Sequence, residues 1–206
     1  MDNSVLKTLE ELELQSHLEK TRQVSVEPQD RMLAITKETG ELFNMILHIK
    51  KAKTMLEIGT STGYSTIWCA EAIKKQLGKV ITIEKNSLKI KRAEDNFRKA
   101  NLEEFITIIE GTAMQTLIEL KSNKEYKEYF DFVLIDADKE NVIEYFDLIL
   151  PMVAIGGIII TDNMLYPEKY KEPMKKLSEH IKNHQNLKTI TSPIGNGEEI
   201  TLKMRA

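Results

Sequence analysis

The hydrophobic pattern changes its period along the chain. From Ser4 to Arg22, leucines at 6, 9, 12, 14 and 18 recur among charged residues at helical spacing, with Asn3 or Ser4 placed to cap the start. Glu27-Pro28-Gln29-Asp30 interrupts the pattern, and Arg31 to Lys50 resumes it with Leu33, Leu42, Phe43, Met45, Ile46 and Ile49. After that, short apolar runs alternate with helical stretches. Thr54–Ile58, Val80–Glu84, Ile106–Ile109, Phe132–Asp136 and Ile158–Asp162 read as strands; their β-branched composition and lack of polar alternation fit burial on both faces. Ser61–Leu77 (ended by Gly78), Ser87–Ala100, Ala113–Leu120, Glu140–Leu150 and Pro167–His184 read as helices, the last with Pro173 in or near its first turns.

Strand alternating with helix predicts a doubly wound, mostly parallel sheet with helices on both faces. The tail breaks the alternation. Leu187–Thr191, the turn Ser192-Pro193-Ile194-Gly195-Asn196-Gly197, and Ile200–Lys203 read as an antiparallel hairpin, making seven strands in all. The pattern predicts one α/β domain over 1–206, with 1–27 an accessory helix that either covers the site, contacts a partner chain or packs against the domain.

Composition adds bounds rather than direction. The 206 residues are 41% hydrophobic and 30% charged, as in a soluble globular protein. No apolar run approaches the ~20 residues of a membrane span, and the polar start Met1-Asp2-Asn3 does not read as a signal peptide. The single Cys69 excludes an internal disulfide, so a cytoplasmic setting is expected. A net charge of −3 argues against wholesale nucleic-acid binding. Lysines do cluster at 50, 51 and 53 and at 169, 171, 175 and 176; a solvated helix face is the ordinary reading of such clusters.

The chemistry lies at the strand ends. In an open parallel sheet, ligands bind at the carboxyl edge. The first strand runs into Gly59-Thr60-Ser61-Thr62-Gly63-Tyr64-Ser65. A dinucleotide loop needs glycine at the third and sixth positions, where Ser61 and Tyr64 stand, and a phosphate loop needs Gly-Lys-Ser/Thr. Neither matches, which leaves a wider turn suited to an uncharged or zwitterionic ligand portion. Glu84 ends the second strand, ~20 residues on, where an acid suits ribose hydroxyls. Gly111-Thr112-Ala113 follows the third strand with residues small enough to admit a flat ring. The fourth strand ends in Asp136-Ala137-Asp138-Lys139 and the fifth in Asp162-Asn163. A right-handed crossover brings both acidic ends to one edge. Oxygens from Asp136, Asp162 and Asn163 then offer a seat for a hard divalent cation.

With these motifs together, the chain resembles class I S-adenosylmethionine-dependent methyltransferases, and within them the cation-dependent O-methyltransferases that include the catechol and caffeoyl-coenzyme A enzymes. The resemblance covers about Pro28 to Lys203 and rests on Glu57–Ser65, Asp136–Lys139, Gly156-Gly157 and Asp162-Asn163. It implies that Glu57, Gly59, Thr60 and Ser65 contact the methionine part and backbone of the cofactor, Glu84 its ribose and Ala113 its adenine. It implies Asp136, Asp162 and Asn163 as ligands of Mg2+, or of Mn2+ or Ca2+, with Asp136 also near the cofactor amino group. Lys139 becomes the base beside the acceptor oxygen, and Ile35-Thr36 touches the cofactor from above. Two departures fall near the acceptor: Val142 stands where many relatives carry tyrosine, and Met164-Leu165-Tyr166 replaces a segment that often carries tryptophan.

The expected reaction is methyl transfer to a small hydroxylated, catechol-like aromatic. A tRNA hydroxyuridine acceptor, motivated by the lysine clusters, and a non-catalytic cofactor-binding module are the alternatives. No membrane partner is expected, and a homodimer is, by the same resemblance. His180 and His184 stand at i, i+4, but no third ligand is evident nearby in the sequence, so they read as part of an exposed polar face.

Overall fold

The computed structural model describes residues 1–205. Helix α1 spans Asn3–Lys20 and α2 Lys37–Lys50. There follow β1 (Thr54–Ile58), α3 (Tyr64–Lys74), β2 (Lys79–Glu84), α4 (Ser87–Lys99), β3 (Ile106–Glu110) and α5 (Ala113–Ser122). Then come β4 (Phe130–Ile135), α6 (Val142–Ile149), β5 (Val153–Asp162), α7 (Lys171–Lys182), β6 (Leu187–Ser192) and β7 (Glu198–Lys203). The seven strands form one sheet in the order β3-β2-β1-β4-β5-β7-β6. Pairings from β3 to β5 are parallel, and β7 joins β5 and β6 antiparallel. This is the Rossmann-like sheet with a closing hairpin that the sequence pattern predicts.

β4 shows why the two helix layers form. Its side chains alternate across the sheet: Phe132 and Leu134 enter a core with Phe43, Leu47, Trp68 and Phe97. Val133 and Ile135 enter a second core with Leu117, Phe146, Ile149, Leu177 and Ile181. Helices α1 to α4 therefore cover one face and α5 to α7 the other. The accessory helix α1 packs on its own domain through Val5, Leu9 and Leu12. Tyr64 donates its hydroxyl to Glu13 at 2.8 Å, and the backbone N–H of Met32 donates to Glu19 at 2.6 Å.

Several boundaries differ from the sequence expectation, among them β5, which begins at Val153 rather than Ile158, and α7, which begins at Lys171 rather than Pro167. Arg31–Thr36 is not helical; it is an extended strap whose Met32 and Ile35 are buried. Thr36 caps α2 by accepting the N–H of Thr39, which fixes the helix start later than periodicity alone implies. α3 starts at Tyr64 rather than Ser61, because the preceding residues form the glycine turn. β7 begins at Glu198, two residues earlier than its apolar run, since Glu198 and Glu199 are both fully buried.

Candidate functional site

The sheet order reverses between β1 and β4, and the crevice at such a switch point is where α/β sheets bind ligands. Register delivers the motif residues there. Ile58 pairs with Ile83 on one side and Ile135 on the other, and Ile135 pairs with Thr161. One step further along each strand stand Gly59, Glu84, Asp136 and Asp162. The two central strand ends touch: a Cβ on Gly59 would lie 2.0 Å from the Asp136 carbonyl oxygen. Gly59 also has φ +104°, a conformation that L side chains rarely adopt, so only glycine closes this corner.

Beneath the loop lies Glu57, fully buried. The hydroxyls of Ser65, Thr66 and Thr82 donate to its carboxyl at 2.6, 2.5 and 2.6 Å. Burial pushes its pKa up, against the lowering effect of those three donors. The hydroxyls of Thr60 and Thr82 share a hydrogen bond of 2.6 Å. The side chains of Glu57, Thr60 and Ser65 thus tie β1, β2 and the start of α3 together. The first-turn amides of α3 have no carbonyl of their own helix to bond.

Glu84 holds the loop from the side. One carboxylate oxygen accepts the N–H of Ser61 at 2.8 Å, and the other accepts those of Lys85 and Asn86, each at 3.0 Å. Ala113 is the first residue of α5, half-buried beyond the end of β3. The 31–36 strap passes above the loop, where the N–H of Leu33 donates to the Ser61 hydroxyl at 3.2 Å.

Acidic groups gather on the other side of Asp136. Lys139, only 4% exposed, places Nζ 3.1 Å from Asp136 Oδ1. Its loop is braced: Asp138 accepts the Tyr145 hydroxyl at 2.6 Å and the Asn141 side-chain amide at 2.6 Å. Asp162 is buried, and its Oδ1 accepts the backbone N–H of Asn163 at 2.6 Å. Asn163 is left-handed, φ 68°, which asparagine tolerates better than most residues. Across the β5–β7 ladder Asp162 faces Glu198. Glu198 was not among the residues expected here. Thr39 donates to its Oε1 at 3.2 Å, while Oε2 is buried with no N–H or hydroxyl donor among the described residues; the hydrogen bond open to the Glu198 carboxyl beyond these is the one it shares with Asp162 through a proton. Its only signal in the sequence is its place beside Glu199 at the end of the hairpin turn, which reads as surface.

Burial, then the neighbouring charge of Asp136, pushes Asp162 up to about 7. Burial, then the charge of Asp162, pushes Glu198 up to about 10. The two titrate as a pair. Three carboxyl groups with one ammonium among them leave an excess of buried negative charge, which protons or a cation must neutralise. An all-oxygen donor set of this kind fits a hard divalent ion in place of the protons. Asp136, Asp162 and Glu198 are nonetheless spread more widely than a closed ligand sphere. Among the described residues, the group whose three ligand atoms all lie within 4.8 Å of one another is Asp147, His180 and His184, on a different surface.

The pair makes stability depend on pH. Each pKa is raised in the folded protein, so its contribution is full below the unfolded carboxyl value and is lost as pH rises through the folded one. In EDTA, thermal stability should therefore fall across the window from about 4 toward about 7 as Asp162 ionises, and further toward about 10 for Glu198. Glu198→Gln should flatten the upper part. Melting temperatures in EDTA across this range check it; a flat profile above pH 6 for the parent chain contradicts it.

Two residues near the expected acceptor pocket sit differently from each other. Val142 is 2% exposed, inside the second core, whereas Tyr166 is 63% exposed. Tyr145, one turn along α6 from Val142, is the residue that braces the Lys139 loop.

Comparison with known proteins agrees with this architecture. The model of the O-methyltransferase family matches residues 8–203. A probable caffeoyl-CoA O-methyltransferase from Arabidopsis thaliana is 34% identical over 68% of this chain, a stretch that spans 60% of that relative. Caffeoyl-CoA O-methyltransferase 2 from Populus trichocarpa is 28% identical over 91% of the chain and 81% of its own length. The structure of an O-methyltransferase from Bacillus cereus in complex with SAH superposes with a TM-score of 0.77 at 26% identity, covering 96% of this chain and 90% of that one. The chain belongs to the O-methyltransferase family.

Proposed function

We propose that this protein is an S-adenosylmethionine-dependent, divalent-cation-dependent O-methyltransferase acting on a metal-held hydroxyl of a small catechol-like aromatic. The observation that carries the reading is the buried carboxyl pair Asp162–Glu198, whose mutual repulsion a cation would relieve, beside the Asp136–Lys139 ion pair one strand from the glycine loop. The Bacillus cereus relative with bound SAH supports the cofactor, and the plant relatives named for caffeoyl-CoA support an aromatic acceptor.

In this reading the Gly59 turn and the first amides of α3 receive the methionine end of the cofactor. Glu84, already fixed by three backbone donors, presents its remaining lone pairs to the ribose, and Ala113 borders the adenine. Asp136, Asp162 and Asn163 would hold the cation, with Glu198 as a further oxygen beside Asp162. When bound, the cation supplies charge that lowers the pKa of a coordinated phenol, which is otherwise mostly neutral at pH 7 with a pKa near ~10. Mg2+ is the expected ion, and the oxygen set also suits Mn2+ or Ca2+. Lys139 would accept the hydroxyl proton as a neutral amine, after its ammonium has given one proton to solvent. The cofactor, when bound, would supply the methyl group, and the part of the Gly59 turn, Glu84 and the acidic cluster would be to hold donor and acceptor together, from which much of the rate would come.

The lysines that motivate an RNA acceptor are partly engaged. Lys50 lies 3.6 Å from Asp131, Lys171 lies 3.2 Å from Glu168, and Lys169 stacks over Tyr170 at 4.5 Å. The test is a methyl-transfer assay over catechols, hydroxycinnamoyl esters and bulk tRNA, with Mg2+ and with EDTA. Transfer to vicinal dihydroxy compounds in Mg2+ only is the expected result. Transfer that survives chelation, or that uses tRNA alone, overturns the reading.

A further inference from the structure

A second group of metal-ligating side chains lies away from the crevice. His180 stands on α7 and His184 just beyond its end, where the His184 N–H still donates to the Ile181 carbonyl at 3.0 Å. Four residues apart, they present their rings to the same side. Asp147, on α6, supplies the third group: its Oδ1 lies 2.7 Å from His180 Nε2. All three ligand atoms fall within 4.8 Å of one another. Phe146 backs the group, with its ring centroid 6.2 Å from each imidazole, and the imidazoles lie 5.2 Å apart, edge to face.

We propose that Asp147, His180 and His184 form a cation site distinct from the one at Asp136, and that it takes a borderline transition-metal ion of the Zn2+ class. Two imidazole nitrogens and one carboxylate oxygen favour Zn2+, Co2+, Ni2+ or Cu2+ over Mg2+ or Ca2+, which prefer all-oxygen shells. A tetrahedral zinc ion with bonds of ~2.0 Å needs ligand atoms about 3.3 Å apart. That separation lies between the 2.7 Å of the His180–Asp147 pair and the 4.8 Å outer limit, so small side-chain rotations suffice. An ordinary histidine–aspartate pair accounts for two of these groups but not for the third ring beside them.

Three observations favour occupancy by a cation. Asp147 and His180 stand on helices anchored by buried neighbours, Phe146 and Ile149 on α6 and Leu177 and Ile181 on α7, and His184 follows in the turn that closes α7. The end of α7 carries the negative pole of the helix, which attracts a cation. The side chains of His180 and Asp147 are 32% and 50% exposed, which opens an entry path and leaves room for water as the remaining ligand. Asp147 sits near the end of α6 and Lys139 precedes its start, so on the order of 10 Å of helix separates the two sites. A bound ion would pin the last turn of α6 to the end of α7.

The experiment is calorimetric titration of the metal-stripped chain with Zn2+, with Mg2+ in large excess to fill the oxygen site, and Co2+ titration followed by visible absorption. The expected result is a single Zn2+ site not displaced by Mg2+, with the strong d–d bands of four-coordinate Co2+. His180→Ala and His184→Ala should each weaken Zn2+ at least tenfold, while Asp162→Ala leaves it unchanged. His184→Gln, which keeps bulk without an imidazole, should behave as His184→Ala with an unaltered circular dichroism spectrum. Zn2+ should raise the melting temperature of the parent chain and not of the histidine variants. Absence of a Zn2+ site, binding indifferent to His184, or binding lost in Asp162→Ala but kept in the histidine variants each overturns the proposal.

Discussion

Asp162→Ala is expected to reduce methyl transfer at least about a thousandfold while leaving the metal-free fold intact. The first half follows from charge. A cation at an acyl or phenolic oxygen supplies several kcal/mol of stabilisation, and each ~1.4 kcal/mol is a factor of ten in rate. Asp162 is the most enclosed of the three expected ligands, 3% exposed, and its loss leaves Asp136 and Asn163 on separate strand ends. The second half is less intuitive, since truncating a buried side chain usually destabilises. Here the chain without metal carries an acid pushed up to about 7 beside another pushed up to about 10. Removing one relieves the other, which offsets the small cavity. At pH 8 in EDTA the variant should melt at or above the parent, whereas with Mg2+ the parent should gain stability and the variant should not. The paired readouts are a methyl-transfer rate and melting curves in both buffers. Activity within tenfold of the parent would remove Asp162 from the metal site. A collapsed melting temperature in EDTA would make it a structural residue instead.

What was legible in the sequence was what repeats. The buried strands are apolar runs with no alternation, which few other structures require, and the sheet that joins them follows from chain connectivity. The glycine turn was legible because Gly59 has no substitute where the Asp136 carbonyl passes 2.0 Å from its missing Cβ. Residues whose burial depends on distant partners were not. Glu198 and Glu199 look like a turn, yet both are fully buried. The first is buried against Asp162 and Thr39, and the second receives the hydroxyls of Ser178, Thr189 and Thr191. Arg31–Thr36 carries helical spacing but is pulled straight by tertiary bonds from Met32 to Glu19 and from Leu33 to Ser61. The reading of His180 and His184 as a plain polar face missed Asp147 because the third group comes from another helix, 33 residues earlier.

Lys139→Ala should lower the rate by about 10²- to 10⁴-fold, the range for removing a positioned proton acceptor, without weakening the metal. Lys139 is nearly buried, and its ammonium is the only cation ion-paired with Asp136 among the described residues. Two roles therefore compete: a base at the acceptor hydroxyl, or a counter-charge that merely holds Asp136. They predict different behaviour of the arginine variant. A counter-charge is replaced in kind by Lys139→Arg, which should then recover most activity. A base is not, because a guanidinium stays protonated under all working conditions. Loss of the ammonium also removes a positive charge beside the cation site, so Mg2+ should bind Lys139→Ala as tightly as the parent or tighter. The expected pattern is low kcat in both variants, undiminished Mg2+ affinity by titration calorimetry, and partial rescue of Lys139→Ala by small exogenous amines. Recovery in Lys139→Arg would instead assign Lys139 to holding the loop between β4 and α6. The proton would then leave through solvent, as the cation's effect on a phenol already permits.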